Sequence, residues 1–155
     1  MTELGPFALV ERIGKGGMGE VWRATHRAQR VDVAIKVLTR QRAEDPRYLQ
    51  AFRHEVRAAA ALDHPNVVWL LDHGEVPPAV GEATGWVAGS PWLAMELVSG
   101  SDLRRWLAAA PAPDWKQVVL HLAAAGRGLA AAHDAGVIHR DFKPENVLVG
   151  SGGQI

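Results

Sequence analysis

The sequence predicts an α+β chain in which five strands surround one helix and a mainly helical segment follows. Three observations carry this. Short apolar runs of strand length fill the amino-terminal part, and one run of helical period is set among them. Glycine and proline clusters separate those strands. Beyond Ser101 the spacing of apolar residues changes to three and four.

Residues 7–13 alternate loosely, a glycine cluster runs from Gly14 to Gly19, and 20–25 resumes an extended pattern with Val21 and Ala24 apolar. Two strands joined by a glycine-rich turn is the natural arrangement. Residues 31–38 form a third strand, with Val31, Val33, Ile35 and Val37 on one face and Ala34 and Lys36 on the other. A helix is expected over 46–62, capped by Asp45, with Pro46 at the first helical position. Leu49, Phe52, Val56 and Ala59 make its apolar stripe. His64-Pro65-Asn66 ends it, and strands are expected at 67–71 and 92–98. The Gly/Pro-rich stretch 77–90 between them reads as a long hairpin loop or insertion. Ser101 and Asp102 open a short helix near 103–107, and 114–135 is a longer one with Val118, Leu122, Leu129 and His133 recurring. Two short apolar runs, 137–138 and 147–149, flank the polar segment 139–146.

With 155 residues, 48% of them apolar, the chain can bury a core. The formal net charge is zero, which argues against a nucleic-acid or anionic-membrane binder by bulk electrostatics and leaves any anion to a local site. Without cysteine there is no disulfide, thiolate ligand or thiol chemistry. The first residues lack the basic and apolar regions of a signal peptide, and no apolar run is long enough to span a bilayer. Cytoplasmic localisation is the default expectation, with an anchor beyond residue 155 left open.

Residues 13–21 spell G-x-G-x-x-G-x-V after Ile13: Gly14, Lys15, Gly16, Gly17, Met18, Gly19, Glu20, Val21. Bare backbone lets such a loop close over phosphates. Alone the pattern also fits a plain flexible turn. A dinucleotide site needs a helix starting in the loop, whereas a strand follows here, and no Gly-Lys-Ser/Thr is placed for a Walker loop. Lys36, in Ala34-Ile35-Lys36, lies mid-strand and could reach phosphates beneath the loop; by itself it could equally be a solvated strand lysine. Glu55 lies beside Phe52 and Val56 on the helix, and a carboxylate directed inward there needs a cation, for which Lys36 is available. A solvated helix glutamate is the alternative.

His139-Arg140-Asp141-Phe142-Lys143-Pro144-Glu145-Asn146 is the decisive segment. An aspartate can take the proton of an attacking hydroxyl, and an asparagine carbonyl can ligate magnesium without adding charge. Lys143 can neutralise charge on a transferred phosphoryl group.

On these motifs, in this order and spacing, the chain resembles the bacterial branch of the eukaryotic-type (Hanks-type) serine/threonine protein kinases over essentially its whole length. The resemblance implies a protein-kinase fold: a five-stranded antiparallel lobe with its helix over 1–98, including the hinge, and the start of a helical lobe over 99–155. It implies ATP and Mg2+, with Mn2+ as the alternative ion, and protein substrates with Ser/Thr acceptors. Lys36 would hold the α and β phosphates, anchored by Glu55; Asp141 would be the base, with Lys143 beside it, and Asn146 a magnesium ligand. Ile13 to Gly19 would cover the nucleotide, Val21, Ala34 and Leu148 sandwich the adenine, and Met95 stand as gatekeeper before the hinge of Glu96, Leu97 and Val98. Lys143 favours serine/threonine specificity, and Arg140 implies control by a phosphorylated activation loop. A kinase dimer for trans-autophosphorylation is a partner to expect; nucleic acid and membrane contact are not.

Some residues depart from the family pattern. Phe142 replaces a commoner leucine and is expected to pack like it, and Ala59 stands where a larger residue is usual; His139, which matches the pattern, is expected to pack and hydrogen-bond in the core. The 77–90 stretch, with Trp86, is longer than typical and suggests a distinctive surface or partner contact. The family's Asp-Phe-Gly does not occur in these residues. The chain as given is therefore expected to lack transfer activity and to be marginally stable, with apolar surface exposed on the 114–135 helix. The alternative function is a truncated or pseudokinase-like module that binds nucleotide or a partner. The full glycine loop and His-Arg-Asp-Phe-Lys-Pro-Glu-Asn argue against a small-molecule kinase of related fold.

Overall fold

A computed structural model describes the chain apart from Met1, Gly17, Met18, Thr39, Ala61, Arg140, Asp141 and Gln154, and apart from the side chains of Glu55, Arg57, Ala58 and Ala59. It forms two compact units, one of Met1–Ala60 with Leu70–Leu97, the other of Ala61–Trp69 with Val98–Ile155. Among the described residues no helix is long and apolar enough to cross a membrane.

The first unit is built on strands β1 (Glu3–Leu4), β2 (Phe7–Lys15), β3 (Gly19–His26), β4 (Val31–Leu38), β5 (Leu70–Glu75) and β6 (Pro91–Glu96). They make one antiparallel sheet in the order β1-β2-β3-β4-β6-β5. All five expected strands are present, and the short β1 adds a sixth at the edge. The fourth is displaced: Val67 N–H is held by the His64 carbonyl at 3.0 Å in a turn, so the ladder begins only at Leu70.

Central strand β4 follows its alternation. Val33, Ile35 and Val37 are buried in one cluster with Leu4, Phe7, Val76, Val80, Trp86 and Trp92. The opposite face, with Leu38 and Leu93, packs on Phe52 and Val56 of helix α2 (Pro46–Ala60) and on Ala43 of the short helix α1 (Arg40–Ala43). Val31, at the strand end, is exposed. Asp45 caps α2 as expected, its Oδ1 accepting from Arg47 N–H at 3.0 Å.

The 77–90 stretch is not an open loop. It holds helix α3 (Pro78–Thr84), with Pro78 in its first turn and Gly85 at φ 77° closing its end. Gly81 passes so near Trp86 that an added Cβ would lie 2.8 Å from its carbonyl oxygen. Val80 and Trp86 turn inward, and Trp86 is only 8% exposed. The Trp86 indole closes this unit's own core. Two glycines and two prolines hide the helix from any periodicity argument.

In the second unit, helix α4 (Leu103–Leu107) is capped by Asp102, whose Oδ1 accepts from Arg105 N–H at 2.9 Å. Helix α5 (Trp115–Asp134) opens on a capping box of Asp114 and Gln117. Strands β7 (Gly100–Asp102) and β8 (Leu148–Gly150) pair beside a core of Leu103, Ala125, Val147 and Val149. The buried face of α5 is only partly the expected one, with Val118 and Leu129 half-buried. Ala124, Ala125, Gly128 and Ala132 are buried, whereas Leu122 and His133 are exposed, as are Trp115, Val119 and Leu120. The reason is backbone approach: a Cβ at Gly128 would collide with the Asn66 carbonyl.

This predicts opposite outcomes at two glycines of α5. Gly126 has open space around its missing Cβ. Gly126→Ala should raise stability by about 1 kcal/mol through helix propensity, and Gly128→Ala should lower it by about 1–3 kcal/mol through overpacking. Thermal unfolding followed by circular dichroism checks both; a Gly128→Ala protein as stable as the parent would refute the close packing.

Candidate active site

The nucleotide-facing candidates of the first unit lie on one side of the sheet. Val21 pairs with Lys36 across β3 and β4, and Lys36 in turn with Leu93 on β6; Ala34 pairs with Met95. Directly opposed residues share a face. Gly14 joins them, since its added Cβ would meet Val21 Cβ at 3.6 Å. One surface therefore carries Gly14, Val21, Ala34, Lys36 and Met95. It is the α2 surface: Lys36 Nζ sits 5.8 Å from the centre of the Phe52 ring. Glu55 belongs to α2, but its side chain lies outside the described residues, so the expected Lys36–Glu55 pair does too. Glu96 ends β6 and is exposed, and Ile13 is exposed on β2.

The glycines of the β2–β3 hairpin are not equivalent. Gly16 N–H donates to the Gly19 carbonyl at 2.9 Å, and Gly17 and Met18 lie outside the described residues. Gly19 is required by the fold, because a Cβ would strike the Val37 carbonyl of β4. Gly14 and Gly16 are not: their added Cβ atoms meet nothing closer than 3.6 and 4.0 Å, and neither has the positive φ that glycine alone adopts readily. Their bareness serves no contact within the described residues. A ligand approaching the backbone is what it leaves room for.

In the second unit the segment after Asp141 is held at both ends. Lys143 is extended and precedes a 3-10 turn, Pro144–Asn146, in which Asn146 N–H donates to the Lys143 carbonyl at 2.9 Å. Just beyond, the Val147 carbonyl accepts from Leu103 N–H at 2.7 Å, and Val147 and Val149 are buried. Arg104 Nη1 donates to Glu145 Oε1 at 2.6 Å, tying α4 to the turn. Lys143, Asn146 and Leu148 are thereby presented at the surface of this unit, and Val98 is half-buried in it. Arg140 and Asp141 lie outside the described residues. Two packing expectations fail here. His139 and Phe142 are both exposed, their rings edge-to-face at 5.9 Å instead of buried in a core. Asn146 offers a neutral oxygen suited to a hard cation; among the described residues no group of three His, Cys, Asp or Glu gathers as a metal cluster.

Sequence inspection misses Arg104, one of several arginines on a short helix, because only the fold shows which acid it meets. It also misses Glu20, whose carboxylate accepts from both Arg12 and the Trp22 indole.

Strand, clamp and capped turn together have the architecture of the protein kinase fold, and comparison with known proteins gives the same result. The model of the protein kinase domain matches residues 7–155. The serine/threonine-protein kinase PknA of Mycobacterium tuberculosis is 36% identical over 155 residues, which are 100% of this chain and 35% of that protein. PknH of Mycobacterium bovis is 37% identical over 149 residues, covering 94% of this chain and 22% of its own length. The crystal structure of the Mycobacterium tuberculosis PknI kinase domain superposes with a TM-score of 0.78 at 30% identity, covering 99% of this chain and 58% of that one. The chain thus spans about a third or less of these curated relatives. It belongs to the protein kinase family, among the bacterial Hanks-type serine/threonine kinases.

The Arg104–Glu145 pair makes a prediction about titration. The hydrogen bond from Arg104 holds the Glu145 carboxyl below the usual range, helped by Glu145's own backbone amide, and raises Arg104 in turn. With its folded pKa depressed, Glu145 supports the turn above its unfolded value of about 4.3 and loses that effect as pH falls through the folded one. A carbon-detected carboxyl titration should place Glu145 below that value, and Arg104→Gln should bring it back. An unchanged midpoint in Arg104→Gln would exclude the pairing in solution.

Proposed function

We propose that this chain supplies the nucleotide clamp and catalytic loop of an ATP-dependent protein kinase that phosphorylates Ser and Thr hydroxyls of protein substrates. The observation that carries the reading is the pair of glycines, Gly14 and Gly16, left bare without need beside a strand lysine, in a chain of this family. Under it, the backbone of 13–19 covers the phosphates and Lys36 holds them, kept in place by Glu55. Val21, Ala34 and Leu148 enclose the adenine, with Met95, Glu96 and Val98 at its edge. Asp141 accepts the proton of the substrate hydroxyl as its oxygen bonds the γ phosphorus and the bond to the bridging β–γ oxygen breaks. Lys143 offsets charge growing on the transferred group. Asn146 would hold a magnesium ion, which supplies charge neutralisation at the phosphates. Autophosphorylation between two copies belongs to the same proposal.

Nucleotide binding is the primary test, because the clamp lies within the first unit and transfer is expected to be lacking in these 155 residues alone. Isothermal titration with ATP and Mg2+ should show saturable binding. Gly16→Ala should leave the melting temperature near that of the parent yet weaken ATP. Lys36→Ala should weaken it roughly ten- to hundredfold, the worth of a charge-assisted hydrogen bond. In a transfer-competent chain carrying these residues, Asp141→Asn should cut phosphoryl transfer by roughly 10²–10⁴ with ATP affinity kept. No saturable ATP binding by the parent would end the proposal.

A further inference from the structure

The outer face of the sheet, opposite Lys36, carries a continuous set of contacts from the β5–β6 connection to the glycine hairpin. Trp86 meets Trp22 edge-to-face, with ring centroids 5.6 Å apart at 83°. Trp22 lies partly buried against the same apolar cluster, and its Nε1–H donates to Glu20 Oε2 at 3.1 Å. The other carboxylate oxygen accepts from Arg12 Nη1 at 3.2 Å and lies 3.8 Å from Lys15 Nζ. One carboxylate thus gathers donors from both strands at the base of the loop, where Lys15 opposes Glu20 and Arg12 opposes Trp22.

Two features make this more than a surface ion pair. The Glu20 side chain is only 16% exposed, against 48% for Arg12, so it is screened less than an ordinary exposed carboxylate. And its position is set by an indole that is itself held by packing. The backbone ladder needs such help, because its register is broken between Arg12 and Gly14. A bulge bends a strand and disrupts the hydrogen-bonded ladder locally.

We propose that Glu20, Trp22 and Trp86 are positioning residues for the glycine loop: the core of the 77–90 stretch holds Trp22, Trp22 aims Glu20, and Glu20 fixes Arg12 and Lys15 on either side of Gly14. This stretch thereby sets the order of the hairpin from the face that the nucleotide does not occupy. The ordering of the hairpin stands on these contacts alone; its consequence for ATP rests on the kinase reading above.

Hydrogen exchange of the peptide covering 11–24, without nucleotide, tests it, with the peptide covering 46–60 as internal control. Trp22→Phe keeps the ring contact and removes the N–H donor. It should speed exchange in the hairpin about fivefold, the worth of one hydrogen bond, and leave the control unchanged. Glu20→Ala should do the same. Trp86→Phe should behave as the parent, since Trp86 Nε1 is buried with no hydrogen-bond partner among the described residues. Trp86→Ala, if it folds, should match Trp22→Phe. Parent-like hairpin exchange in both Trp22→Phe and Glu20→Ala overturns the proposal, as does an equal rise in the control peptide. A Mg-ATP titration separates the two readings. A parent that fails to bind ATP removes the nucleotide role alone, whereas a parent that binds while both variants bind equally well refutes positioning of the phosphate loop.

Discussion

Strand β4 is the constraint on which the first unit depends, because it is buried on both faces. Val33, Ile35 and Val37 are at most 1% exposed and anchor the outer core. Ala34, also buried, and Lys36, half-buried, lie on the other face with Leu38, above α2. A one-residue slip in register would exchange these sets, placing Lys36 in the apolar cluster and three β-branched side chains on the α2 face. The cost of an unpaired charge in that cluster excludes the slip. The face on which Lys36 lies is therefore fixed by the same alternation that builds the core.

That arrangement also separates two uses of glycine that one motif conceals. Gly19 is bare because β3 runs against the β4 carbonyl of Val37, whereas Gly14 and Gly16 are bare where the protein leaves space. Glycines that the fold requires and glycines that it does not are thus adjacent in the chain yet distinguishable by what a Cβ would meet. The outer face adds its own support. Edge-to-face rings there place an aromatic N–H on a carboxylate, a combination of packing and hydrogen bonding that indole alone among side chains offers at this size.

The second unit solves a different problem, holding a short polar segment still without burying it. The 3-10 turn is too brief to stabilise itself. It is fastened by the β7–β8 pairing, by the Leu103–Val147 hydrogen bond and by Arg104 on Glu145. Gly100 belongs to this device, since a Cβ there would collide with the Val149 carbonyl across the ladder. Buried Val147 and Val149 bracket Leu148, which the strand alternation turns outward.

The five main strands, α2, α4 and α5 are legible in the sequence because period, capping residues and turn glycines are local signals. So are the candidate residues of the clamp and catalytic loop, which follow one another at recognisable spacing. Three features are not legible. Helix α3 lacks period and carries helix breakers, so only Trp86 and Val80 entering the core declare it. The small-residue face of α5 loses to Leu122 in any hydrophobicity count, yet wins where two backbones meet at Asn66 and Gly128. His139 and Phe142 read as core by type and stand exposed. By itself the sequence determined the family and the elements that carry most of its candidate residues, since both depend on neighbours along the chain. Only the tertiary structure decided which glycines the fold requires, which tryptophan closes the core and which arginine meets Glu145, because these depend on close approach between segments far apart in sequence.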